Sequence, residues 1–179
     1  NPHFNADASR VFFTTNMGKL GTELLLSSVN LRGNDRRDHL QGAKATQFRV
    51  SPDSKWVAFT ENFKTYLAPF FSNGKTITVS GATKDFSVRQ VAGRSGEFLS
   101  WAADSQAIDW SHGRYLYRRD LKQAFAFEDG APESLPEPLE TGLDLAFAMD
   151  GDKPKGKIAL VGGRVVTMRD ADQQTEVIE

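Results

Sequence analysis

Three histidines, His3, His39 and His112, are the only imidazoles in 179 residues, and no two of them stand at a spacing that metal ligation uses. His39 follows Asp38 and two arginines in RRDHL, which reads as a fringe strand with its side chains at the surface. His112, in SHGRY, reads as a solvated hairpin tip. Ser95 lies between glycines in GRSGE (93–97), but this is not the Gly-x-Ser-x-Gly pattern that lifts a nucleophile onto a strand-to-helix turn, and no His–acid pair accompanies it. MDGDKPKG (149–156) starts like a calcium loop and then lacks the later oxygen ligands and the bidentate Glu. There is no cysteine, so thiolate chemistry and disulfide staples are both excluded. The expectation is a chain with no catalytic, cofactor-binding or metal-ligating residue of its own.

The carboxylates have another logic. FNADASRVFFTT (4–15), VSPDSKWVAFTE (50–61) and WAADSQAIDWSH (101–112) align without a gap, which puts Asp7, Asp53 and Asp104 in register, 46 and then 51 residues apart. A ring of ligands is one reading of three such acids. Their fixed place in a repeat favours turn formers, because Asp accepts hydrogen bonds from backbone N–H groups two residues on, and a repeat copies its structural parts into every unit. Six places beyond each Asp comes an aromatic, Phe13, Phe59 or Trp110, followed by a hydroxyl; three places before it stand Phe4, Val50 and Trp101.

These turns must sit on strands. WVAF, VFF and AIDW are nearly solid apolar runs, whereas a strand with one wet face alternates. Strands without alternation are covered on both faces, and strand-rich units of this period are the mark of β-propeller blades, each a four-stranded sheet. Phe13, Phe59, Trp101 and Trp110 are then expected in the core between blades; Trp56, with Arg10 and Ala107 at its aligned positions, stands apart and reads as packing under a neighbouring blade. Further strands are expected at 22–29, 36–40, 65–70, 75–80, 86–91, 114–121 and 123–129, joined by SNG, GATKD and SHG turns. No segment has a helical period. The fold class is all-β: three four-stranded antiparallel blades, about 1–47, 48–98 and 99–129, forming a partial propeller with a C-terminal strand extension.

Residues 130–156 hold four of the seven prolines, and the eight acids between Glu128 and Asp152 meet no Lys or Arg. This is a surface connector with LDLAFAM (143–149) as its one docked strand. The remainder has 22 basic residues against 15 acidic ones, scattered rather than clustered, which argues against a nucleic-acid groove. No run is long and apolar enough for a membrane helix.

SPDSKWVAF resembles the blade repeat of TolB-type propellers, found also in prolyl-oligopeptidase-like peptidases. IALVGGRVVTMRDADQQTEVIE resembles the opening of metal-dependent amidohydrolases, where a small β-sandwich precedes a catalytic barrel. The order of blades, acidic proline-rich stretch and sandwich opening is similar to bacterial exported proteins that fuse a TolB-like propeller to an amidohydrolase. The resemblance implies the last blades of a propeller followed, over 157–179, by the start of the next domain, in a periplasmic or secreted protein. It also implies zinc and C–N bond hydrolysis only where the downstream barrel is present, since the family's His-x-His pair is missing from this sequence. Three roles are implied: a noncatalytic docking scaffold of such a protein, a stand-alone TolB-like interaction module, or the propeller of an oligopeptidase-like enzyme.

Three blades do not close a ring of four to eight. An open blade face carrying about six large apolar side chains forfeits on the order of 10 kcal/mol at about 1.5–3 kcal/mol each, against a whole-domain stability of about 5–15 kcal/mol. The open faces are therefore expected to be covered by a protein partner or by further copies of the chain.

Overall fold

The computed structural model describes residues 2–18, 22–94 and 96–151, and in the tail residues 153, 155–157, 159, 161–163, 165, 166, 177 and 178. The chain divides into two compact units, Asn1–Ala146 and Phe147–Glu179. Among the described residues there is no α-helix, and no helix long and apolar enough to cross a membrane.

The first unit is built of three separate sheets. The first contains β1 (His3–Phe4), β2 (Arg10–Met17), β3 (Glu23–Asn30) and β4 (Arg37–Gly42). The second runs in the order β5 (Ala45–Val50), β6 (Trp56–Glu61), β7 (Lys64–Pro69) and β9 (Arg89–Ala92), while β8 (Ile77–Thr78) crosses over and pairs parallel with β4 as the fifth strand of the first sheet. The third consists of β10 (Glu97–Trp101), β11 (Ala107–His112), β12 (Tyr115–Asp120) and β13 (Leu143–Asp144). Among the described residues the other ladders are antiparallel, and Ala92 of β9 makes an isolated parallel bridge to Leu139.

The repeat read from the sequence is a repeat of register. Phe4 pairs with Val11, Val50 with Val57, and Trp101 with Ile108. In each hairpin the N–H of the residue after the Asp donates to the carbonyl three back: Ala8 to Asn5 at 3.0 Å, Ser54 to Ser51 at 2.9 Å, Ser105 to Ala102 at 2.9 Å. All three donors have left-handed φ, of 53°, 59° and 62°, which sends the next strand back antiparallel.

Two apolar cores separate the sheets. Phe12, Leu26 and Leu40 of the first sheet meet Phe48, Val57 and Phe59 of the second. Trp56, Ala58 and Leu67 on the other side of the second sheet meet Leu99, Ile108 and Trp110 of the third. Trp56, Val57, Ala58 and Phe59 of β6 thus point into alternate cores, which explains the lack of alternation, and Thr60 and Glu61 beyond them are buried as well.

The crossover of Ile77–Thr78 takes the strand expected at 75–80 out of the second blade and makes the first sheet five-stranded, and two further segments differ from expectation. QAFAFED (123–129) is no strand: a single 3-10 turn spans Leu121–Gln123, the Phe125 N–H bonds back to Leu121 at 3.0 Å, and Leu121, Ala124 and Phe125 are buried on one side of this coil. The fourth strand of the third sheet comes instead from the acidic stretch, where only Leu143 and Asp144 of LDLAFAM pair, with Leu116 and Tyr115. On its way the stretch crosses the surface, tied by Leu139 N–H to Val91 O at 3.0 Å, Arg89 to Pro136 O at 3.0 Å and Arg119 to Glu137 O at 2.7 Å.

In the second unit the described regular structure is one antiparallel pair, β14 (Val165–Val166) with β15 (Val177–Ile178).

Candidate functional site

The three repeat carboxylates act locally. Asp7 Oδ1 accepts the N–H of Ser9 at 2.9 Å, Asp53 Oδ1 that of Lys55 at 3.1 Å, and Asp104 Oδ1 that of Gln106 at 2.9 Å. The first of these bonds holds the Asp7 carboxyl below the usual carboxylate range. Neighbouring turns are joined in series, by Ala6 N–H to Pro52 O at 2.7 Å and by Asp53 N–H to Ser105 Oγ at 3.0 Å. Among the described residues no three His, Cys, Asp or Glu side chains gather as a metal site.

The aromatics occupy unlike surroundings. Phe59 and Trp110 are fully buried, Trp101 is half-buried against the second core, and Trp56 stacks on Phe125 with ring centroids 4.8 Å apart. Phe13 is half-buried and belongs to neither core. Its neighbour Phe12 faces the second sheet, so Phe13 faces away from it, with the Arg36 guanidinium 5.8 Å from its ring centroid. The face of the third sheet turned away from the second carries the Asp109–Arg118 pair at 3.6 Å and the exposed Leu116.

The expectation of a surface His39 is corrected. The imidazole is 4% exposed, its Nε2 lies 2.7 Å from Ser28 Oγ, and the ring packs against Phe12 and Phe70. The register of β3 and β4 shifts between Leu26 and Ser27, and this irregularity puts His39 on the core side together with Leu40. Burial, reinforced by the cationic Arg10 and Arg37 and opposed by Asp38, lowers its pKa to about 4. Ser28 itself is fully buried and accepts a hydrogen bond from Arg10 Nε at 2.9 Å, so this His–Ser contact offers no exposed nucleophile. His112 is half-buried in a hollow of about 590 Å³ with Arg94 and Arg114, but both cations are engaged, with Glu140 at 3.7 Å and Asp144 at 2.8 Å. Ser95 and Asp152 lie outside the described residues.

The site with binding character is at the other end of the strands from the Asp turns. A groove of about 740 Å³ runs where β5 and β10 begin, floored by Phe48 and bordered by Thr14, Gln47 and the β6–β7 hairpin. Its rim carries Phe63 and Phe98, each 78% exposed. Asn62 and Phe63 form the two-residue loop between paired Glu61 and Lys64, with φ of 48° and 60°. That is a type I′ turn, whose second position is ordinarily Gly. Phe98 has φ 55° in the irregular part of β10, between Glu97 and Ser100. A bulky residue held at positive φ costs on the order of 1–2 kcal/mol, and such strain gathers at ligand clamps. The wall between the two sheets is close: a Cβ on Gly96 would collide with Thr65 Oγ1 and lie 3.2 Å from Trp110, and Thr60 Oγ1 donates to Gly96 O at 3.3 Å.

Lys44 and Glu97 are both exposed on this groove, and among the described residues neither is engaged in an ion pair or side-chain hydrogen bond. Sequence reasoning passes over Phe63 and Phe98. The available signal is ENFK, a two-residue hairpin loop with Phe where Gly belongs. No protein-family model matches the chain, and no curated protein matches it.

Proposed function

We propose that this chain is a noncatalytic docking scaffold of β-propeller type, with the TolB-like blade as its unit and the groove beneath Phe63 and Phe98 as its ligand face. The observation that carries the reading is β6, whose residues alternate between two cores in a stack of sheets with the same turn and the same first pairing. In this reading the Val11–Phe13 face of the first sheet is an interface too, because the aligned Val57 and Phe59 contribute to the core with the preceding sheet, and Ile108 and Trp110 do likewise. A second copy of the chain covers it.

The parent context proposed is an exported bacterial protein, periplasmic or secreted, in which such a scaffold precedes an amidohydrolase-type domain beginning near residue 157. Zinc and C–N hydrolysis belong to that domain. The test is a pair of measurements on the chain: particle mass by light scattering, and hydrolysis of amide substrates with and without added zinc. A mass of two copies or more without turnover is expected. A monodisperse monomer contradicts the covered face, and chelator-sensitive turnover contradicts the noncatalytic role.

A further inference from the structure

We infer that the Phe63–Phe98 groove binds a short free peptide, held as a zwitterion with a large apolar side chain between the two phenylalanines. This deepens the scaffold reading and rests on it for the groove being a place of binding.

Three observations select that ligand. Both rings stand in solvent on left-handed backbone, so they are presented outward by positions that would be more stable as Gly, and no ring partner of either is found among the described residues. Exposed aromatic anchors above a concave floor are what an apolar side chain recognises. Next, the groove holds one cation and one anion, Lys44 and Glu97, each without a partner among the described residues, which complements a ligand carrying one carboxylate and one ammonium rather than a net anion or cation. Finally, Asn62 and Gln47 set side-chain amides around the same floor, and an amide matches the donor and acceptor of a peptide bond. At about 740 Å³ the hollow is within the range of small-ligand sites and suits a di- or tripeptide.

The experiment is titration calorimetry of the full chain with alanyl-phenylalanine, with the same dipeptide N-acetylated and C-amidated, and with alanyl-alanine. Saturable binding of the first is expected, with the other two weaker by about tenfold or more, one for lack of charge and one for lack of the ring. Phe63→Gly and Phe98→Gly each lower the affinity by about tenfold while keeping the thermal midpoint at or above that of the parent, so lost binding is not lost folding. Lys44→Gln and Glu97→Gln bring the free dipeptide down to the affinity of the blocked one. Absence of saturation, equal binding of free and blocked dipeptides, or glycine variants that bind like the parent each overturn the inference. Those results leave the scaffold reading standing, since it is tested by mass and turnover.

Discussion

Arg49 and Trp101 clasp the second and third sheets at their first strands. The Trp101 indole N–H donates to the Arg49 carbonyl at 2.9 Å, and the Arg49 guanidinium returns a bond to the Leu99 carbonyl at 3.1 Å. Burial disfavours the charged guanidinium and lowers the Arg49 pKa, so the hydrogen bond to Leu99 offsets part of a desolvation penalty. Trp101→Phe keeps the packing and leaves the Arg49 carbonyl without this donor. It is expected to lower unfolding free energy by about 1–2 kcal/mol in urea denaturation.

Burial separates aligned aromatics that the repeat makes equivalent. Phe59→Ala opens a cavity in a sealed core and is expected to cost about 3–5 kcal/mol. Phe13→Ala removes a half-buried ring at the corresponding place and is expected to cost less than half of that in a dilute chain, while shifting the particle mass toward a monomer. Denaturation and light scattering on the two variants check the contrast; equal losses of stability contradict it.

The hairpin tip offers the opposite sign. Phe63→Gly relieves a left-handed phenylalanine in a type I′ turn and is expected to raise stability by about 1 kcal/mol, read as an increase in thermal midpoint. A decrease shows that the ring packs on the protein itself rather than facing a ligand.

His39 ties stability to pH. Its folded pKa of about 4 lies below the ordinary 6.5, so between these values the unfolded chain binds the proton and the native state does not. Its contribution is fully present above about pH 6.5 and is lost as pH falls toward 4, by up to about 3 kcal/mol. His39→Gln keeps a polar group near Ser28 and is expected to flatten this slope, measured as the difference in urea midpoint between pH 7 and pH 4.5.

The repeat was readable because turn chemistry is local: an Asp, the N–H two residues on and a left-handed residue between them lie within one short stretch, and they recur at Asp7, Asp53 and Asp104. The solid apolar run of β6 was readable for the same reason, since burial on both faces erases polar positions from the sequence itself. What escaped depends on long-range pairing. Ile77 joins the first sheet because Leu40 offers it a parallel edge, and His39 turns inward because of a ladder irregularity opposite Ser27; neither condition is written in the neighbouring residues. Phe63 and Phe98 escaped because an exposed aromatic in a strand-rich sequence resembles core until its φ is known.

Native-state hydrogen exchange of the β6 amides, Trp56 to Glu61, tests the stacking most directly. A strand sealed between two cores opens only with global unfolding, so these amides are predicted to exchange slowest in the chain and with the denaturant dependence of whole-molecule unfolding. Exchange of β6 as fast as that of β2, whose outer face is only half-covered, contradicts the account.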